Sequence, residues 1–239
     1  MRKILIVALS IALAVGLTAC GGGQPTVTDQ DDKTVAVGSI EELEEIVNND
    51  VIETEAALRA EYDKLAAEID TYDKYIKNKS TVEEFYSKIH EETKAICIRM
   101  REYSIAYTEI VMDSGGTNDE RYDAMDDLYD IIYDDACGEI YDLIYDDLLG
   151  DMYDAFYDGV VSDGYDYTGY EQWSDAMSEA YDMWSDNLSD VYDEWSDALS
   201  DIYDFWSDVC GHIYDGGTED VDEEIAKFEE EIAGLKVEE

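Results

Sequence analysis

The residues with the most chemical potential form a ladder of carboxylates: Asp175, Glu179, Asp182, Asp186, Asp190, Asp193, Asp197, Asp201, Asp204 and Asp208. Every step is three or four residues, so on a helix each carboxylate neighbours the next on one surface. Two kinds of chemistry suit such a row. A hard cation such as Ca²⁺ or Mg²⁺ takes oxygen ligands, which makes Asp186, Asp190, Asp193, Asp197, Asp201, Asp204 and Asp208 the candidate metal ligands. One helix face offers two carboxylates and water where Ca²⁺ takes about 6–8 oxygens, so weak binding is expected. The second chemistry is acid–base catalysis by a carboxylate pair, as in an envelope hydrolase. That requires environments that push two pKa values apart, and the ladder gives its members near-equivalent surroundings. A singular carboxylate such as Asp166, in the non-repetitive loop, would have to serve. His90 and His212 are the only histidines, too few for a His-based metal site or triad. The expectation is a protein that is not an enzyme, with the hydrolase as the alternative.

The ladder belongs to an eleven-residue repeat. Trp173, Trp184, Trp195 and Trp206 are eleven apart, as are Tyr181, Tyr192, Tyr203 and Tyr214. Eleven residues overshoot three α-helical turns by only ~20°, so each repeat position forms a nearly straight column with a slight right-handed wrap. Tyr192, Trp195, Leu199, Ile202, Tyr203 and Trp206 are placed inward, and Asp193, Asp197, Asp201, Asp204 and Asp208 outward. A helix over about 170–215 would span roughly 70 Å. Like charges at these spacings cost ~0.2–0.5 kcal/mol per pair, so the helix forms against its own electrostatics.

Upstream lies a twelve-residue unit, "LYDIIYDDACGE", "IYDLIYDDLLGD" and "MYDAFYDGVVSD", from 128 to 163. Its internal period is close to four, and on an α-helix a four-residue step turns an apolar stripe by ~40°. The stripe is therefore expected to spiral. Either Gly138 and Gly150 break the segment or it is one helix contacted on several sides, and the helix is favoured. The repeats place Cys137 and Cys210 at small core positions. With Cys97 they form no disulfide framework and no zinc pattern.

The preceding region, 38–112, reads as a mixed-charge helical hairpin. Capping boxes at Ser39–Glu42 and Thr81–Glu84 open helices over 39–77 and 81–112, joined by "NKST", with a bend near 48–50. Residues 119–217 hold the acidic repeats and 218–239 a C-terminal helix. The fold class expected is all-α, an elongated, coiled-coil-like bundle of long amphipathic helices in which hairpin Lys and Arg offset part of the acidity. The net charge is −47, and no Lys or Arg occurs from Tyr122 to Ala226. Such a field disfavours nucleic acid and anionic lipid and favours cations, inorganic or peptidic.

The N-terminus reads "MRKILIVALSIALAVGLTAC", a basic start, an apolar run and small residues before Cys20. This stretch resembles the lipobox-type signal peptide of bacterial lipoprotein precursors. The resemblance covers residues 1–20 only. It implies removal of residues 1–19, diacylglycerol and palmitate-type acyl chains on Cys20, and export to a membrane-anchored position facing the extracellular or periplasmic side. Residues 20–37 then read as a flexible tether. The expected function is a non-enzymatic interaction, spacer or cation-binding module. A cationic protein or peptide is its expected partner, with no cofactor beyond weakly bound Ca²⁺ or Mg²⁺.

Overall fold

The computed structural model describes residues 24–29, 33–166 and 169–236; Cys20 and the expected signal peptide lie outside them. Five long helices run side by side. They are α1 (Ile40–Glu68), α2 (Tyr72–Asp113), a rod over 118–161 termed α3, α4 (Tyr170–Asp215) and α5 (Thr218–Leu235). α1 and α2 are antiparallel, pinned by Asp50 to Arg99 and Glu61 to Lys88. α2 and α4 run parallel, since Lys79, Tyr86 and Arg101 meet Glu179, Asn187 and Asp201 in ascending order.

α2 is the central helix. Residues 96–101 and 103–108 are buried consecutively, the pattern of a helix covered on every side. Its buried polar side chains there are mostly provided for, the Glu102 Oε2 atom being buried without a partner among the described residues. Thr93, Ser104 and Thr108 bond the carbonyl four residues back, at 2.8–3.0 Å. Arg99 forks onto the fully buried Asp50 at 2.7 and 2.8 Å, and the Tyr103 hydroxyl donates to the same carboxylate at 2.8 Å. Such a pair is retained only when its partners are complete, because either charge alone would be stranded in the core. Cys97, Cys137 and Cys210 are buried free thiols, and burial pushes Cys97 and Cys210 up to about 12.

Four expectations about the chain path are corrected. The hairpin turn falls at 69–71, where Ile69 caps α1, and "NKST" lies inside α2 at a kink centred on Asn78 (φ −113°, ψ 19°). α1 passes straight through 48–50, because Asp50 is a core ion-pair member and not a turn residue. The segment read as a tether contains two antiparallel strands, β1 (Thr26–Thr28) and β2 (Thr34–Ala36). The Tyr103 hydroxyl holds the Thr28 carbonyl at 3.1 Å, and Val27 and Val37 are buried.

The fourth correction concerns α3. It is continuous through Gly138 and Gly150, yet its stripe does not spiral. Leu128, Ile132, Ala136, Ile140, Ile144, Leu148, Met152 and Phe156, each four residues from the last, are at most 2% exposed. An α-helix would have rotated that stripe by roughly 280° from end to end. The rod avoids this by underwinding. Three π-helical stretches, Tyr129–Ala136, Tyr141–Leu148 and Tyr153–Val161, are joined by single α-turns at Cys137–Ile140 and Leu149–Met152. A π-turn bonds i to i+5, as from the Cys137 N–H to the Ile132 carbonyl, so mixing the two brings the average to four residues per turn.

Candidate interaction surface

The acidic repeats come together where α3 and α4 lie antiparallel. The four indole N–H groups of α4 donate to α3 backbone carbonyls. Trp206 reaches Met125 at 2.8 Å, Trp195 reaches Cys137 at 2.8 Å, Trp184 reaches Leu149 at 3.0 Å and Trp173 reaches Val161 at 3.2 Å. Donors are eleven residues apart and acceptors twelve. Eleven α-helical residues advance about 16.5 Å, so twelve in α3 cover that distance at about 1.4 Å each. Three of the accepting carbonyls are also shared within the helix: the N–H groups of Tyr129, Tyr141 and Tyr153 each reach two carbonyls, and the indole bonds the one four residues back.

Three of the four indoles, those of Trp184, Trp195 and Trp206, sit in four-ring boxes, whereas Trp173 meets Tyr165 and Tyr170. The middle box joins Tyr192 to Trp195 (5.6 Å between centroids), Trp195 to Tyr141 (4.7 Å), Tyr141 to Tyr145 (4.7 Å) and Tyr145 back to Tyr192 (5.8 Å). Tyr181, Trp184, Tyr153 and Tyr157 repeat it one unit away, and Tyr203, Trp206, Tyr129 and Tyr133 repeat it in the other direction. Ring pairs at these separations gain beyond their buried area. The Trp rings are half-buried, while Tyr181, Tyr192 and Tyr203 keep 43–45% of their surface in solvent. The expectation that Tyr192 and Tyr203 face inward is therefore corrected: they form the open rim. The core-facing column of α4 runs instead through Ala176, Asn187, Ala198 and Val209.

Carboxylates border the boxes on both helices. Asp182, Asp193 and Asp204 follow the rim tyrosines, and Asp130, Asp134, Asp142, Asp146, Asp154 and Asp158 follow those of α3; all are exposed. Burial first, then neighbouring rings and carboxylates, raises the hydroxyls of Tyr129, Tyr141 and Tyr153, with Asp134, Asp146 and Asp158 contributing. The negative field thus converges on the ring edges. Beside the first box, Tyr157, Trp173, Ser174, Met177, Ser178, Tyr181 and Asp182 line a recess of about 420 Å³.

Of the ladder, Asp186, Asp190, Asp193, Asp197, Asp204 and Asp208 are exposed along α4. Asp201 differs: it accepts from Arg101 of α2 at 2.9 and 2.7 Å. Glu179 likewise meets Lys79 at 2.5 Å. Among the described residues, no three His, Cys, Asp or Glu side chains converge on one point that would hold a metal ion. The Asp166 side chain, like Cys20, lies outside the described residues. Sequence reasoning missed the boxes themselves. Their signal was the pairing of an eleven- with a twelve-residue period, which forces equivalent residues into register.

In comparisons with known proteins, no family model matches the chain, and no curated protein or solved structure matches it.

Proposed function

We propose that this chain is a lipid-anchored bacterial envelope lipoprotein that acts without catalysis, presenting its acidic, aromatic repeat face to a cationic partner and holding it away from the membrane. The observation that carries this reading is the recurrence of one box geometry along two helices, with carboxylates in near-equivalent places. A repeated surface suits repeated contact, whereas a catalytic centre needs groups in distinct roles. α4, of 46 residues, supplies about 69 Å of rigid length. Divalent cations screen the array diffusely and compete with the partner. No described helix is long and apolar enough to cross a membrane.

Two measurements test the reading. Metabolic labelling with radioactive palmitate should mark the wild-type chain and not Cys20→Ser; equal labelling removes the anchor. Pull-down from envelope extract should recover basic proteins, released by salt. Recovery unaffected by salt removes the electrostatic partner.

A further inference from the structure

The Tyr-rimmed face has a chemistry more selective than its charge. Each exposed rim tyrosine is followed in sequence by an exposed aspartate, so aromatic rings and carboxylates both recur about every 16.5 Å along this face. An ammonium group can use the carboxylate but gains less from the ring. A guanidinium can lie flat on a ring and fork onto a carboxylate at once, because it is planar, weakly hydrated and presents five donors.

The molecule already contains such an arrangement. Arg59 of α1 lies over the Tyr62 ring at 5.9 Å while its Nε donates to Glu55 and its Nη1 to Asp151, a carboxylate of the twelve-residue unit. On the α3–α4 face exposed tyrosines and aspartates recur, with no Lys or Arg in the sequence from Tyr122 to Ala226. A shallow, open recess between Tyr157, Trp173, Tyr181 and Asp182 adjoins this rim.

Resting on the reading of an acidic interaction surface, we infer that the α3–α4 face is an arginine-selective dock for an extended basic peptide segment. Its preferred ligand carries guanidinium groups at about 16.5 Å spacing, roughly five residues of extended chain. The boxes act together through multivalency, so affinity is set by how many guanidiniums are in register.

The test uses the full chain in neutral detergent and two labelled synthetic peptides in a Gly/Ser background, one with Arg and one with Lys at every fifth residue. Anisotropy titrations at physiological salt should show the Arg peptide binding about tenfold tighter or more, as stacking at several rings accumulates. The triple variant Tyr181→Leu, Tyr192→Leu and Tyr203→Leu should bring the Arg:Lys ratio close to one, with Arg-peptide affinity falling the more. If circular dichroism shows that the triple variant is unfolded, Tyr181→Leu alone, at the recess, should lower the ratio about two- to five-fold. Equal binding of both peptides by the wild type, or a ratio that survives loss of the rim rings, overturns the arginine dock and leaves the acidic surface intact. Binding of neither peptide overturns both readings.

Discussion

α3 and α4 have related compositions and opposite solutions to the same geometric demand. Both complete three turns per repeat, α4 with eleven residues and α3 with twelve. α4 stays a regular α-helix because eleven residues already come within ~20° of three turns. α3 carries one residue more and must underwind, and its π-turns let the buried stripe remain in line. Helical winding here follows the hydrophobic period instead of dictating it. The energy comes from tertiary packing: a column of fully buried aliphatic side chains outweighs the poorer local geometry of a π-turn.

This contrast can be broken at several strengths. Deleting Asp135 shortens one unit of α3 to eleven residues and shifts every carbonyl beyond it against Trp195, Trp184 and Trp173. We expect a loss beyond about 4 kcal/mol in urea unfolding, an exceptional value for a single site; an unchanged midpoint would mean that α3 accepts either period. Ile144→Ala should cost about 2–5 kcal/mol, because underwinding keeps Ile144 in the core. Leu143→Ala, one residue away and half-buried, serves as its control and should cost clearly less. Trp195→Phe keeps a ring and removes the donor to the Cys137 carbonyl, for about 1 kcal/mol, with the α-helical signal unchanged. Gly138→Ala is the mildest. A Cβ there meets nothing within 4 Å, so thermal unfolding should rise, by about 0.5–1 kcal/mol of added stability. A fall would show that the glycine is needed as a break.

The bundle class, the bounds of α4 and the core placement of Cys137 and Cys210 were legible, because each rests on periodicity. Periodicity could not reveal that α3 changes its own period, since the sequence test assumes 3.6 residues per turn before it is applied. Nor could it name the partners of Asp201 and Glu179, which share one repeat position and meet Arg101 and Lys79 of α2. The position between Asp and the aliphatic residue of each repeat, held by Ala176, Asn187, Ala198 and Val209, gave a weak signal in never being charged. It faces α2, as the Asn187 bond to the Tyr86 carbonyl at 2.7 Å shows. The buried Asp50 was read as part of a turn, because its neighbours are turn formers and its partner lies in another helix.

The parallel pairing of α2 with α4 also sets a timetable for the nascent chain. Arg101 meets Asp201, and Tyr86 meets Asn187, across about a hundred residues of sequence. The central helix thus precedes its main covering partner by about a hundred residues, and closing such distant contacts is slow. Until α4 docks, one face of α2 is uncovered and Arg101 lacks its carboxylate.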